Sequence, residues 1–290
     1  MPLNAALAGE TEFAFRPGHF YTPLRGQLII EWDEDLNKVA ELEVPWLGGA
    51  SGSTFNSDGN LVMTGRLVGN STSLVIEMDQ SGNVIRTTPQ GTSTGLGGSY
   101  IDYNAATDQY VHAAGDTVRI LDGEFELVDE SAESLRRSTG VHWLSTGDVF
   151  AIDGLNEQSY LFGSDLSTSL EIGSPAAPGF YAGIEIVGSQ VYGGTVSGDL
   201  RMYDLDTGLT TELVSDVGVG AMIDIEMDDS GNIYTTSGFN VLRKYSPSGE
   251  LLAINGTGMG GDNIAYFNIP SPASMLILVP AMVTARRRRI

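Results

Sequence analysis

The chain repeats a strand–turn–strand unit about every 42 residues, and this period limits the folds open to it. In each unit a large residue ends a strand, and an acidic or glycine-bearing turn and a second strand follow. These anchor residues are Trp32, Met78, Leu121, Phe162, Tyr203 and Tyr245, separated by 46, 43, 41, 41 and 42 residues. Two more short strands precede each anchor, and four strands per period of this length are typical of a propeller blade.

The repeat predicts an all-β fold, a six-bladed β-propeller with four-stranded antiparallel blades, over residues 9–267. No stretch before the C-terminal tail shows helical periodicity over a useful length, so helical repeat folds are excluded. The closure of the ring is left open. Residues 11–15 (TEFAF) can form the innermost strand of blade one, and residues 263–267 (NIAYF) can replace it or pair beside it. A partial seventh blade is a further alternative.

The C-terminal residues 268–290 carry a different pattern, in which a proline-rich step is followed by an uncharged run over 273–285 and a basic cluster. The residues of the step and the cluster are Pro270, Ser271, Pro272, Arg286, Arg287, Arg288 and Arg289. Together they resemble the PEP-CTERM sorting signal of Gram-negative bacteria, although Ser271 stands where that family has glutamate. The resemblance implies a short apolar sorting helix, recognition by an exosortase-type membrane protease, and export to the cell surface, outer membrane or extracellular matrix. The arginines of such a transient membrane anchor are expected on the cytoplasmic side.

Composition agrees with an exported protein. The chain has 15 basic and 37 acidic residues, and four of the basic residues lie in the tail, so the body stands at 11 − 37 = −26. Such a body does not bind nucleic acid by counterion release. The absence of cysteine excludes disulfides, thiolate metal sites and cysteine nucleophiles. Residues 1–8 end in Ala6, Leu7 and Ala8, which fits either a signal-peptide remnant or an ordinary N-terminus.

No catalytic motif stands in a suitable context, but one set of polar residues keeps the blade period. Near the start of each predicted innermost strand lie Glu12, Thr54, Asp102, His142, Glu185 and Asp224. Innermost strands line the central channel of a propeller, so these side chains are expected to form a ring. The carboxylates and the imidazole (Glu12, Asp102, His142, Glu185 and Asp224) would suit a hard divalent cation such as Ca²⁺. The alternative is that they are polar side chains lining a wet channel.

The segment GNIYTTSGFNVLRKYSPSGELL resembles the NHL and gluconolactonase-like six-bladed propellers. That resemblance implies a metal ion in the channel, held by acidic and amide side chains. Three functions follow as hypotheses: a surface or matrix module that binds polysaccharide or protein, a secreted lactonase-like or other hydrolase with a channel cation, and a ligand-free spacer of the envelope. Tyr100, Trp143, Phe180 and Tyr181 are candidate ligand-contacting aromatics, and packing between blades is their alternative role.

Overall fold

The computed structural model describes residues 13–24, 27–69, 72–92, 100–172, 178–215, 220–237, 241–256 and 263–268. These residues form six antiparallel sheets of four strands each. The innermost strands of neighbouring sheets lie side by side around a closed ring. The fold is therefore a six-bladed β-propeller, as the repeat predicted. The sorting residues Pro270, Ser271, Pro272 and the four arginines lie outside the described residues.

Five of the blades are continuous along the chain and place their first strand innermost. Blade two is β4 (Leu47–Phe55), β5 (Leu61–Leu67), β6 (Thr72–Met78) and β7 (Val84–Thr92); blade three is β8 (Ile101–Asn104), β9 (Gln109–Ala114), β10 (Thr117–Asp122) and β11 (Leu127–Glu130); blade four is β12 (Ser138–Trp143), β13 (Val149–Asp153), β14 (Gln158–Phe162) and β15 (Ser169–Ile172). Blade five is β16 (Ile184–Val187), β17 (Gln190–Gly194), β18 (Leu200–Asp204) and β19 (Leu209–Val214); blade six is β20 (Met222–Met227), β21 (Ile233–Ser237), β22 (Leu242–Tyr245) and β23 (Leu251–Asn255).

Blade one joins the two ends of the propeller. Its outer strands are β1 (Phe20–Leu24), β2 (Leu28–Trp32) and β3 (Lys38–Glu43), and its innermost strand is β24 (Ala265–Tyr266). Tyr266 pairs with Phe20, and Ala265 pairs with Tyr21. Of the two closures left open by the sequence, the structure has the one from residues 263–267. Phe15 is buried outside any strand, and its N–H donates to the carbonyl oxygen of Gln80 in blade two at 2.8 Å.

The anchor residues build the cores between blades. All six are at most 6% exposed. Each packs against the preceding blade: Trp32 shares a cluster with Tyr234 of blade six, and Phe162 shares one with Val111 of blade three. Burial of a large side chain contributes about 1.5–3 kcal/mol. In an isolated blade, the face that carries the anchor would be exposed to solvent. The stability of each blade therefore depends on its neighbour.

The turns after the anchors use left-handed backbone to pack apolar side chains into these cores. Asp33 Oδ1 accepts the N–H groups of Asp35 and Asn37 at 3.0 and 2.8 Å, which fixes a tight turn. The fourth position of such turns has positive φ and is glycine at Gly82 (78°), but it is Leu36 (63°) in blade one and Phe125 (64°) in blade three. Leu36 and Phe125 are 3% and 1% exposed. The backbone cost of about 1–2 kcal/mol is offset by the buried side chain.

Phe125→Gly tests this balance. Removing a buried phenylalanine costs about 3–5 kcal/mol, while relief of the left-handed backbone returns about 1–2 kcal/mol, so we expect a net loss of about 1–4 kcal/mol in the free energy of unfolding. Chemical denaturation measures it. Glu157→Gly is the matched control, because Glu157 also has positive φ (53°) but an exposed side chain. The control should be neutral or stabilising; an equal loss in both variants would contradict the explanation.

Candidate functional site

The strand register defines two levels of side chains at the channel. In every blade the anchor lies in the third strand and pairs with a residue of the second strand. That residue pairs with one residue of the innermost strand, which is the reference position. The two levels are defined by counting back along the chain from this reference position. One residue back lies the acid ring, formed by Thr54, Asp102, His142, Glu185, Glu226 and Ala265. Three residues back lies the Tyr100 level, formed by Gly52, Tyr100, Gly140, Gly183, Asp224 and Asn263.

The predicted ring differs from this register in blades one and six. Asp102, His142 and Glu185 lie in the acid ring, but Asp224 lies at the Tyr100 level, and Glu226 takes its place. The sequence carried a signal for this, because Glu226 restores a spacing of 226 − 185 = 41 residues. Glu12 lies outside the described residues. The blade-one position belongs to Ala265, because the C-terminal strand β24 is innermost there.

Three side chains of the acid ring are in contact across blades three, four and five. His142 Nδ1 lies 3.1 Å from Asp102 Oδ2 and donates to the carbonyl oxygen of Trp143 at 2.8 Å. His142 Nε2 lies 3.6 Å from Glu185 Oε1. The three side chains are 18–20% exposed, so the channel admits some solvent to them. An imidazolium between two carboxylates satisfies the opposite charges of all three groups.

The His142 pKa follows from this arrangement. Burial opposes the charged form, but the Asp102 and Glu185 carboxylates and the Trp143 carbonyl outweigh it and raise the pKa to about 10. His142 is therefore protonated at neutral pH. Both ring nitrogens then carry protons and neither can bind a metal ion.

Asp102 and Asp224 hold neighbouring innermost strands together. Asp102 accepts the N–H groups of Tyr103 and Trp143, both at 2.8 Å. Asp224 accepts those of Ile225 at 3.0 Å and Ile264 at 2.9 Å. An innermost strand is a sheet edge with free N–H groups, and each carboxylate satisfies one N–H of the next blade. Asp102 thus links blades three and four, and Asp224 links blades six and one.

Burial raises the pKa values of three carboxyl groups at the channel. Burial and the nearby carboxylates of Glu185, Asp224 and Asp102 raise the pKa of Glu226 well above its usual range, and Glu226 is hydrogen-bonded to Glu185. Burial also raises the pKa of Asp224, against the lowering effect of its two N–H donors. Burial raises that of Asp102 despite the neighbouring imidazolium. The raised pKa of Glu226 favours a proton on this group, which lowers its repulsion with the neighbouring carboxylates.

As they are placed, these carboxylate oxygens and imidazole nitrogens do not fit as ligands of a cation in the channel. Asp102 and Asp224 use their oxygens on backbone N–H groups, and His142 uses its nitrogens on protein acceptors. Among the described residues, no three acidic or histidine side chains stand in an arrangement that could hold a metal ion. The Ca²⁺ site stays a prediction, and this geometry does not favour it.

Tyr100 crosses the channel beside the acid ring. Its hydroxyl donates to the carbonyl oxygen of Ile223 at 2.6 Å. Tyr100 belongs to blade three and Ile223 to blade six, which lies opposite in a ring of six, so the side chain spans the channel. Glycines at the same level leave room. At Gly183 a Cβ would lie 1.7 Å from Asp224 Oδ1, so no other residue fits there.

Asn263 is a polar residue at the Tyr100 level that sequence reasoning missed. It is fully buried, and neither amide atom has a hydrogen-bond partner among the described residues. A buried amide of this kind is commonly satisfied by an ordered water in proteins. Its position is the blade-one counterpart of Asp224, and the spacing 263 − 224 = 39 residues was the available signal.

The candidate ligand-contacting aromatics pack between blades instead. Tyr100 and Trp143 are 8% exposed and Phe180 is fully buried, while Tyr181 is half-buried against the same core as Trp143. Across the part of the chain that the structure describes, no phenylalanine, tyrosine or tryptophan is exposed. The expectation of an aromatic ligand platform is therefore wrong for Tyr100, Trp143 and Phe180, because the propeller uses them to fill its core.

Comparisons with known proteins support the fold alone. No protein-family model matches the chain, and no curated protein sequence matches it significantly. A chain of the nidogen/laminin complex is similar with a TM-score of 0.68 at 11% identity, covering 87% of this chain and 98% of that one. A Bacteroides caccae protein of unknown function gives 0.62 at 10% identity, covering 86% and 98%, and the WD40 β-propeller domain of Doa1 gives 0.60 at 12%, covering 82% and 79%.

The channel predicts that stability falls as pH rises. The folded-state pKa values of His142, Glu226 and Asp224 are raised, so the native state binds more protons than the unfolded state. The His142 contribution is fully present below its unfolded pKa of about 6.5 and is lost as pH rises through about 10. We expect His142→Gln to remove about 2 kcal/mol of this dependence, or roughly 4–8 °C in Tm between pH 6.5 and 10.

Thermal unfolding across that range is the measurement. The exposed Asp206→Asn variant is the control and should keep the wild-type slope. Equal slopes in the wild type and His142→Gln would show that the imidazolium is not held as described.

Tyr100→Phe tests the bridge across the channel. The Ile223 carbonyl also accepts the Gly183 N–H at 2.9 Å, so loss of the hydroxyl leaves it with one donor. We expect a loss of about 0.5–1.5 kcal/mol in the free energy of unfolding. Tyr103→Phe is the control, because the Tyr103 hydroxyl bonds at the surface to Ser57 and Asp108 and should contribute less. A Tyr100→Phe effect no larger than the control would argue against the bridge.

Proposed function

We propose that this chain is an exported, transiently membrane-anchored binding module whose propeller recognises a protein partner through polar and charged contacts. The observation that carries the proposal is a charge-segregated surface, the hairpin face. This face consists of the turns at residues 33–37, 56–60, 79–83, 105–108, 123–126, 144–148, 163–168, 188–189, 205–208, 228–232 and 246–250.

The hairpin face is mostly acidic, although Arg86 and Lys244 reach it from nearby strands to contact Glu124 and the Glu34 carbonyl oxygen. In an antiparallel blade, the turn joining the first and second strands and the turn joining the third and fourth lie at the same end, so all these turns share one side of the propeller. They contain no lysine or arginine, and their acidic residues are Asp33, Glu34, Asp35, Asp58, Asp79, Asp108, Glu124, Glu126, Asp148, Asp165, Asp206, Asp228, Asp229 and Glu250. A surface of one sign attracts oppositely charged partners and speeds their association.

Two further features favour binding at the surface over chemistry in the channel. Tyr100 crosses the channel, and the acid-ring groups are bonded to one another or to the backbone. Polysaccharide recognition by stacking on aromatic rings is also disfavoured, since the described aromatics are not exposed. A partner protein with a basic surface matches the hairpin face best.

Delivery to the cell surface rests on the sequence of the tail. The proline step, the apolar run and the arginine cluster resemble an exosortase-recognised signal, as set out above. Within the residues that the structure describes, no helix is long and apolar enough to cross a membrane. We assign the membrane attachment to residues 268–290 on the resemblance of their sequence alone.

Charge neutralisation on one face tests the binding proposal. In the full-length chain, Asp35, Asp58 and Asp206 are replaced together by Asn, and binding to poly-L-lysine is measured over a salt series. We expect binding to weaken at least about fivefold, corresponding to roughly 1 kcal/mol, because three attractive charges of this face are lost. Neutral dextran and anionic alginate should not bind the wild type.

A matched variant separates the face from the overall charge. Glu43→Gln, Asp116→Asn and Glu212→Gln together remove the same number of exposed charges away from the hairpin face. If both triple variants weaken poly-L-lysine binding equally, the attraction is a property of net charge and the proposed face is wrong. Binding of dextran with no response to either variant would favour a polysaccharide ligand instead.

A further inference from the structure

We propose that residues 275–279 of the tail (MLILV) pair with the open edge of β23 and cover it while the protein is in water. This would add a fifth strand to blade six. The proposal concerns an intramolecular contact and does not depend on the partner proposed above.

The edge of β23 differs from the other outermost strands. Leu251, Leu252 and Ile254 are 50%, 49% and 55% exposed, and Leu251–Asn255 contains no charge and no proline. Each of the other outer strands carries at least one charged residue or proline. These are Lys38, Glu41 and Glu43 in β3, Arg86 and Pro89 in β7, Asp129 and Glu130 in β11, Glu171 in β15 and Glu212 in β19. Charges and prolines keep sheet edges from pairing with other strands. The edge of β23 has neither and can accept an added strand.

The tail leaves the fold beside this blade. Asn268, just after β24, donates through Nδ2 to Asp229 Oδ1 at 2.6 Å, and Asp229 lies in the turn between β20 and β21. The distance from β20 to β23 is three strand spacings, or about 15 Å. Residues 269–274 can extend about 20 Å. Met275 can therefore reach the beginning of β23.

The sequence of the tail matches this edge in length and charge. Pro272 and Pro280 bracket residues 273–279, and a proline lacks the N–H that pairing requires, so a strand ends there. Residues 275–279 are as long as β23 and rich in branched apolar side chains, which favour strands. The tail carries four positive charges and the body a net charge of −26, so long-range attraction holds them together.

Hydrogen–deuterium exchange on the full-length chain in detergent-free buffer tests the pairing. The outward-facing amides of β23 should exchange about tenfold or more faster in Ile277→Pro than in the wild type, because the substitution removes a central N–H and disrupts the added strand. Thr284→Pro is the matched control, since it places a proline in the same tail outside the pairing segment. It should exchange like the wild type.

Two results would overturn the proposal. In the first, wild-type β23 exchanges as fast as β19, another outermost strand, and Ile277→Pro changes nothing. In the second, β23 is protected in all variants, and both the protection and the elution volume depend on protein concentration; the edge is then covered by a second copy. Neither result involves poly-L-lysine binding, so failure here is distinguishable from failure of the binding module.

Discussion

The packing of each anchor residue against the preceding blade is the interaction on which the rest of the molecule depends. A blade without a neighbour would leave its large anchor side chain exposed to water. Every blade therefore requires a preceding blade, and blade one finds this partner only when blade six packs against it. The two-residue strand β24 closes the ring, because Tyr266 and Ala265 complete blade one from the C-terminal side. A short pairing thereby fixes the positions of all six blades.

Closure also determines what lines the channel. Blade one contributes Ala265 to the acid ring and Asn263 to the Tyr100 level, both from the closing strand. Asp224 accepts the N–H of Ile264 at 2.9 Å, so a channel carboxylate holds this strand in place. Asp224 is therefore part of the closure, and its two N–H donors offset the cost of burying it.

The sequence predicted the fold well because the anchors, turns and period are local features repeated six times. It predicted less of the channel because two of the deciding features are not local. Glu12 precedes the first blade in sequence, but a strand about 250 residues later occupies that position. Asp224 was chosen over Glu226 because both lie on the same face of one strand, and only the pairing register with Thr236 and Tyr234 separates them.

The same residues that suggested a metal site also show other ways of relieving their mutual repulsion. A ring of carboxylates must be relieved of repulsion by a cation, by protons or by hydrogen-bond donors. Here an internal imidazolium at His142 serves Asp102 and Glu185, a hydrogen bond to Glu185 serves Glu226, and backbone N–H groups serve Asp224. Each solution uses groups the fold already supplies. With Tyr100 crossing the channel and the acid-ring groups bonded to one another or to the backbone, the hairpin face is the acidic surface through which we propose that the propeller binds a partner.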